Sequence, residues 1–109
     1  MREHDEVKKY LPLTESTYYI LLALVEPLHG YAVMQRIEGM SEGLVRVGAG
    51  TLYNAVPVLL KEGLIAQVDE DSRRKYYHLT QKGKAVLLRQ IERLEVMARN
   101  GQQIRESLG

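Results

Sequence analysis

The fold is decided by residues 48–65, which read GAGTLYNAVPVLLKEGLI. The stretch begins with small residues, and apolar side chains then return at helical spacing, namely Leu52, Val56, Leu59 and Leu60. Gly63 follows as a natural left-handed stop. The pattern predicts a short helix whose first turn carries almost no side chain. Because its free N–H groups and its dipole favour an anion such as a phosphate, we interpret it as a DNA-recognition helix.

Length and composition set the limits of any interpretation. A chain of 109 residues is expected to form one domain, and its formal charge of +1 makes DNA binding depend on where the cations lie. The absence of cysteine excludes disulfides, thiolate metal sites and a cysteine nucleophile. No apolar run approaches the roughly 20 residues of a membrane span, and the charged N-terminus lacks the apolar core of a signal peptide. We expect a soluble, cytoplasmic protein.

The N-terminal part predicts two helices before the recognition helix. Residues 1–11 are polar and charged and are interpreted as a loose arm or a short helix. Thr14 is the predicted N-cap of the first helix, which covers residues 14–26. Its apolar residues recur on one face, namely Ile20, Leu21, Leu24 and Val25. A second helix is predicted over residues 31–38, with inward side chains Val33, Met34 and Ile37.

Two connections in this part could suggest other chemistry. His29 lies in a predicted tight connection at residues 28–30, and with no partner ligand at metal-binding spacing it is interpreted as a capping or loop histidine. Residues 39–50 are rich in glycine and are predicted to form the turn before the recognition helix. The alternative, a phosphate-binding nucleotide loop, is weak because no Gly-Lys-Ser/Thr follows and no strand clearly precedes it.

A β-hairpin is predicted after the recognition helix. Residues 64–68 and 73–79 form its strands, and an acidic turn at residues 69–72 joins them. Three consecutive cations begin the second strand, namely Arg73, Arg74 and Lys75. Asp69 and Asp71 resemble the start of a calcium loop, but the downstream Gly and Glu of such a loop are missing, so a plain turn is favoured.

A long helix is predicted at the C-terminus, capped by Thr80 and reaching about Leu108. Its apolar residues step by four, three and four, namely Leu87, Ile91, Leu94 and Ala98, with Met97 on an adjoining stripe. At about 1.5 Å per residue the helix spans roughly 40 Å, which is longer than one small domain can cover. A second copy of the chain is the simplest partner, and Gly101 is expected to bend or fray the end. The alternative is a shorter helix folded back on its own domain.

The order of these elements predicts a winged helix-turn-helix. The expected fold class is mainly α with a small β-hairpin, with a DNA-binding domain at residues 1–80 and a dimerisation helix at residues 81–109. Thr51, Tyr53 and Asn54 stand at the exposed start of the recognition helix. Thr and Asn can bond base edges, while Tyr can bond a phosphate or pack on a thymine methyl. For Thr51, simple capping of the helix remains an equal alternative.

Four motifs in this order carry a resemblance to a known family. They are HGY at His29–Tyr31, GTLY at Gly50–Tyr53, KEGLI at Lys61–Ile65 and RRKYYHLTQKG at Arg73–Gly83. Together they resemble the PadR-like transcriptional regulators, over roughly residues 13–100. The resemblance implies a homodimeric bacterial winged-helix protein that binds double-stranded DNA at an operator, usually to repress. Some members bind a small-molecule effector in or near the dimer interface.

Pattern and resemblance together define three sets of candidate residues. The DNA-binding candidates are Tyr31, Gly50, Thr51, Tyr53, Asn54, Lys61, Arg73, Arg74 and Lys75. The dimer-interface candidates are Leu87, Ile91, Leu94, Met97 and Ala98. The effector candidates, which rest on the resemblance alone, are Tyr18, Tyr19 and Met97, between the first and last helices. No metal ligand, cofactor or membrane contact is predicted.

The chain departs from the family pattern in two ways. Many relatives have a basic pair in the middle of the recognition helix, where this chain has Pro57 and Val58. Pro57 crowds the carbonyl of Tyr53, which costs around 3 kcal/mol in a regular helix and predicts a kink or a loose first turn. The chain also has no Trp and no Phe, so stacking of flat aromatic drugs against an interface Trp is not supported.

Two other function classes compete with a repressor. The near-neutral charge and the uncharged middle of the recognition helix would also suit a winged-helix module that binds protein instead of DNA. An enzyme is disfavoured, because no nucleophile–base pair, metal-ligand spacing or paired carboxylates can be placed.

Overall fold

The computed structural model describes residues 6–70 and 73–109, and its architecture is mainly helical with a small antiparallel sheet, as predicted. A helical turn at residues 6–8 precedes the main elements. These are α1 (Glu15–Ala23), β1 (Leu28–His29), α2 (Gly30–Met40), α3 (Ala49–Lys61), β2 (Ile65–Glu70), β3 (Lys75–Leu79) and α4 (Gln81–Leu108).

Side-chain caps define where three of the helices begin. The hydroxyl oxygen of Thr14 accepts a hydrogen bond from the N–H of Thr17 at 3.1 Å, and that of Thr80 accepts from Gly83 at 3.0 Å. Both predicted caps are therefore confirmed. His29 caps α2 in the same way, since its Nδ1 accepts from the N–H of Ala32 at 3.4 Å.

The core lies where α1, α2, α3 and the first half of α4 meet. Its most deeply buried members are contributed by all four helices and by the start of β2, namely Ile20, Leu21, Leu24, Val33, Ile37, Leu52, Ile65 and Val86. Because α1 already ends at Ala23, Val25 falls outside the helix and is 51% exposed. Its predicted place on the apolar face was wrong.

The connection between α2 and α3 is more ordered than a flexible turn. Val45 and Val47 are buried in the core, and the buried hydroxyl of Ser41 bonds both the N–H and the carbonyl of Val45 at 3.1 and 3.0 Å. Glu42 and Gly43 take left-handed backbone angles, with φ of 55° and 79°. This sharp reversal allows the chain to return to the core before α3 begins.

The sheet contains one strand that the sequence pattern did not predict. Residues 28–29 are strand β1 instead of a plain connection, and the strand order is β1-β3-β2 with both pairs antiparallel. The register sets His29 opposite Tyr76 and changes between Gln67 and Asp69. The connection between β2 and β3 is displaced along the chain from its predicted place, because β2 extends to Glu70 and β3 begins only at Lys75. Arg73 and Arg74 therefore precede the strand that they were predicted to begin. Residues 71 and 72, including the Asp71 of the rejected calcium loop, lie outside the described residues.

Backbone contacts tie the end of α3 to the start of α4. Gly63 has a φ of +75°, so the predicted left-handed stop is confirmed. The hydroxyl of Thr80 donates to the carbonyl of Gly63 at 2.6 Å, and the N–H of Thr80 donates to the carbonyl of Leu64 at 3.1 Å. The ammonium group of Lys82 donates to the carbonyl of Glu62 at 2.9 Å.

Helix α4 extends well beyond the core. It contains 28 residues and continues without a break through Gly101, where a bend or fraying was expected. Leu87 is buried and Ile91 packs against the core, whereas residues 95–109 are all exposed. No helix in the described part of the chain is both long and apolar enough to cross a membrane.

Candidate nucleic-acid interface

The first turn of α3 is open to solvent. Its N-cap is Gly48, which offers no side-chain hydrogen bond, and Ala49, Gly50 and Thr51 are exposed. Thr51 lies inside the helix, so the alternative that it caps the helix was wrong. No side chain therefore caps the first N–H groups of α3, and they keep their capacity to bind an anion.

One face of α3 is buried and the opposite face is exposed along its whole length. Leu52 and Leu59 anchor the buried face with exposed fractions of 2% and 5%. The exposed face carries Gly50, Tyr53, Asn54, Pro57, Val58 and Lys61. Tyr53 is 71% exposed and Val58 is 58% exposed, although both are large and apolar in part.

Pro57 does not end α3, which continues to Lys61. Its ring nitrogen has no hydrogen to offer the carbonyl of Tyr53, one turn earlier. Pro57 itself lies on the exposed face of α3, away from the core.

A groove of about 430 Å³ joins the start of α2, the middle of α3 and the hairpin of β2 and β3. Its lining residues are His29, Gly30, Tyr31, Leu52, Tyr53, Val56, Pro57, Arg73, Arg74, Lys75 and Tyr77. The structure thus brings five of the predicted DNA-binding residues to one groove, namely Tyr31, Tyr53, Arg73, Arg74 and Lys75. The groove combines aromatic and apolar walls with three cations.

The other predicted DNA-binding residues lie outside this groove. Gly50, Thr51 and Asn54 are exposed on the first turns of α3. Lys61 is at the opposite end of the helix, about 16 Å along its axis from Gly50. The N-terminal half of α3 and the hairpin therefore form one surface, and Lys61 stands apart from it.

His29 connects α2 to the hairpin, a role that the sequence did not indicate. Its Nε2 lies 3.2 Å from the Nη1 of Arg74, and its ring contacts Tyr76 edge to face at 5.4 Å. A neutral imidazole can accept at only one nitrogen, so His29 accepts from either Ala32 or Arg74 at a given moment. The unpredicted pairing of β1 with β3 brings these residues together.

Two further cations near the helix-turn-helix are held by carboxylates. Arg36 pairs with Glu26 at 2.7 Å, and Arg46 pairs with Glu38 at 3.2 Å. These ion pairs reduce the positive potential of α2 and of the connection before α3.

The N-terminal segment packs against the far end of α3. The hydroxyl of Tyr10 donates to a carboxylate oxygen of Glu62 at 2.7 Å, and the ammonium groups of Lys9 and Lys82 lie 5.1 Å from the Tyr10 ring centre. The hydrogen bond from Tyr10 lowers the pKa of Glu62, and the nearby lysines act in the same direction. Contact with Tyr10 also raises the pKa of Lys82.

Two of the predicted effector residues lie on α1, and the third lies on α4. Tyr18 and Tyr19 are half-buried and contact each other edge to face at 5.5 Å. Burial raises the pKa of Tyr18, and the charges of Tyr19 and of Glu95 on α4 add to the effect. Met97 is 60% exposed on the outer half of α4.

The predicted dimer residues divide into two groups. Leu87 is buried within its own chain, and Ile91 packs against the same core. Leu94 is half-buried, whereas Met97 and Ala98 are exposed. Of these five residues, the ones that remain open to a second molecule are therefore Leu94, Met97 and Ala98.

Three helices, α1 to α3, are followed by an antiparallel hairpin, and the exposed α3 lies beside the hairpin cations. This arrangement defines a winged helix-turn-helix protein, with β2 and β3 as its wing. Comparison with known proteins narrows this class. Residues 20–89 match the sequence model of the transcriptional regulator PadR-like family. The chain belongs to that family, and in coarse terms it is a DNA-binding transcriptional regulator.

Solved structures share the fold over nearly the whole chain. A transcriptional regulator from Clostridium thermocellum is 24% identical, with a TM-score of 0.66 over 91% of this chain and 96% of that chain. A PadR family transcription regulator from Clostridium difficile R20291 is 25% identical, with a TM-score of 0.67 over 84% and 98% of the two chains.

A similarity to a longer protein is limited to part of it. The chain is 38% identical over 72 residues to an uncharacterized 37.1 kDa protein in transposon TN4556 of Streptomyces fradiae. This match covers 65% of the chain and 20% of that relative, so the chain spans about a fifth of its length.

Proposed function

We propose that this protein is a homodimeric repressor that acts in the cytoplasm by binding an inverted-repeat operator in double-stranded DNA. The observation that carries the proposal is the groove in which Tyr31 and Tyr53 meet the wing cations Arg73, Arg74 and Lys75. Aromatic walls and cations beside an uncapped helix start suit a surface that holds both the bases and the backbone of a duplex.

Helix α3 is the element that enters the major groove in this proposal. The groove of B-DNA is about 12 Å wide and admits a helix. With the first turns and the middle of α3 inserted, Thr51, Tyr53 and Asn54 face base edges. The wing then lies against the backbone, where its cations contact phosphates and fix the position of the helix.

The proposed dimer forms through the outer half of α4. Residues 95–109 are all exposed, although they include large apolar side chains. Met97, Ile104 and Leu108 lie next to the predicted stripe, whereas Val96 lies on the opposite face of the helix. A second copy would cover Leu94, Met97 and Ala98, next to the inner residues Leu87 and Ile91, in coiled-coil fashion. The two-fold axis would set the recognition helices about 34 Å apart, which predicts an inverted repeat.

The proposal includes an effector site between α1 and α4. Tyr18 and Tyr19 offer aromatic surface there, and Met97 offers a flexible apolar side chain. A thermal-shift screen with phenolic and amphiphilic compounds tests it. Flat responses throughout would leave a regulator without an effector.

Fluorescence anisotropy with labelled fragments from upstream of the protein's own gene tests the main proposal. We expect saturable binding of at least one fragment, two protein chains per duplex, and an affinity that falls as salt rises because counterions are released. Failure to bind any upstream fragment at low salt would contradict it. If a pull-down then recovered a stoichiometric protein partner, a protein-binding winged-helix module would be the better description.

A further inference from the structure

The exposed face of α3 has an unusual chemical composition for a surface that meets DNA. From Ala49 to Leu60 the helix contains no charged residue of either sign. Beyond the uncapped first turn, the exposed face presents Tyr53, Asn54, Pro57 and Val58 in two successive turns. The nearby cations belong to the wing, and they contact backbone in the proposed complex.

Base pairs in the major groove are distinguished by chemistry that this face only partly possesses. Guanine is most often recognised by Arg or Lys, which bond its O6 and N7. Adenine is recognised by Asn or Gln, and thymine by apolar contact with its methyl group. Helix α3 therefore lacks the usual means of reading guanine and has the means of reading both members of an A·T pair.

We propose that α3 reads A·T base pairs, with Tyr53, Pro57 and Val58 covering thymine methyl groups and Asn54 bonding adenine. This inference rests on the proposed function and specifies what its recognition helix selects. In this view, burial of thymine methyl groups determines which operator sequence the protein prefers, while the wing supplies affinity that is independent of sequence.

The spacing of these side chains suits neighbouring base pairs. Tyr53 and Pro57 are one turn apart, which is about 6 Å along the helix axis. Base pairs stack about 3.4 Å apart, so one turn of α3 spans about two steps of the duplex. Tyr53 and Pro57 also line the groove next to the wing, whereas Val58 extends the apolar surface on the same exposed face.

Selection from a random 24-base-pair duplex library with the full-length wild-type protein identifies the sequences that it prefers. We expect enriched half-sites in which the central positions are A·T pairs. The selected duplex is then synthesised with single thymines replaced by deoxyuridine, which removes the methyl group and leaves base pairing unchanged. Replacing a contacted thymine by deoxyuridine should lower the affinity by about fourfold, which corresponds to the loss of one buried methyl group.

A protein variant assigns the effect to the helix. Val58→Ala is expected to weaken binding to the thymine duplex. In this variant, deoxyuridine at one or more positions should lower the affinity less than it does for the wild-type protein, since the protein side of that contact is already missing. Val96→Ala makes the same change at a 47% exposed position of α4 and should leave both affinities unchanged. A circular-dichroism melt of each variant checks that it folds.

The possible outcomes separate this inference from the proposed function. Specific binding that is unaffected by deoxyuridine at every position, or half-sites with guanine at their centre, would overturn thymine reading and leave the repressor intact. If no duplex is enriched and none binds at low salt, both proposals fail. The exposed apolar face of α3 would then be assigned to a protein partner.

Discussion

At the scale of single residues, His29 joins the cap of α2 to the wing. Its Nδ1 faces the N–H of Ala32 and its Nε2 faces the guanidinium of Arg74, and the neutral ring accepts a hydrogen bond from one of these two donors. Arg74 is a proposed phosphate contact. The orientation of this arginine is therefore connected to the start of the helix that precedes the recognition helix.

The variant His29→Asn separates these two roles. Asparagine is among the best N-cap residues, so α2 should keep its cap and the melting temperature should change little. The shorter side chain cannot reach Arg74, and we expect DNA affinity to fall by about two- to tenfold, the equivalent of one hydrogen bond. Anisotropy titrations measure the change. In an Arg74→Ala background the same substitution should have no further effect, and equal losses in both backgrounds would contradict a positioning role.

Gly83 occupies a position that only glycine fits. A Cβ atom there would overlap the carbonyl oxygen of Leu64 and approach the side chain of Leu79 to 2.8 Å. We expect Gly83→Ala to lower the free energy of unfolding by about 1–3 kcal/mol, as other overpacked sites do. Urea denaturation measures the change. Gly39→Ala is the matched control, since a Cβ at Gly39 meets nothing within 4 Å, and a similar loss there would show that the overlap is not the cause.

At the scale of the elements, the wing is expected to supply backbone contacts. Substituting Arg73 or Arg74 with Ala should weaken binding to every DNA sequence by a similar factor. Each lost phosphate contact should also lower the slope of log affinity against log salt by about 0.9. Titrations at several salt concentrations test both effects, with Arg99→Ala on the exposed outer part of α4 as the control. Unchanged affinity in the wing variants would refute the wing assignment.

The N-terminal segment is a second element whose contribution can be measured, through pH. Tyr10 lowers the pKa of Glu62, so this contact stabilises the fold above the ordinary carboxyl pKa and loses its effect as pH falls through the lowered value. We expect Tyr10→Phe to raise the pKa of Glu62 towards its ordinary value in an NMR titration. The variant should lose more stability relative to wild type at pH 7 than at pH 2, because Glu62 is protonated at pH 2 whereas the contact of Tyr10 with Lys82 is lost at both. An equal loss at the two pH values would show that the contact with Glu62 makes no contribution.

Sequence patterns predicted the elements that are encoded locally. Thr14, Thr80 and Gly63 mark helix ends through contacts within a few residues, and these assignments are confirmed. The apolar repeat of α3 predicted its buried face for the same reason. Family motifs then added the class of protein, which composition alone, at a charge of +1, did not indicate.

Features that depend on distant contacts were missed. Strand β1 has only two residues, and it exists because β3 lies beside it, so nothing within residues 28–30 indicates a strand. Val45 and Val47 stand among glycines, and their burial follows from the reversal at Glu42 and Gly43. The contact of His29 with Arg74 spans 45 positions of sequence and depends on that same strand pairing.

At the scale of the whole molecule, the outer half of α4 sets the expected oligomeric state. Because residues 95–109 leave their apolar side chains uncovered, we expect a dimer by size-exclusion chromatography with light scattering. The double variant Met97→Glu, Ala98→Glu should be a folded monomer with much weaker binding to an inverted repeat. Val96→Glu, on the same helix but outside the proposed interface, should remain a dimer. A wild-type monomer that binds the operator tightly would contradict the dimer proposal.

Hydrogen bonds join the residues that follow α3 to the start of α4, namely Glu62, Gly63 and Leu64 to Thr80 and Lys82. Because of these bonds, α3 and α4 are expected to move together. In the proposed dimer, a change of a few degrees in the angle at which two α4 helices cross would therefore also move the α3 of each chain. The crossing angle of the two α4 helices then sets the distance between the half-sites that the dimer can bind. A molecule that separated the outer halves of α4 would prevent operator binding by changing that distance, without contact to any DNA-facing side chain.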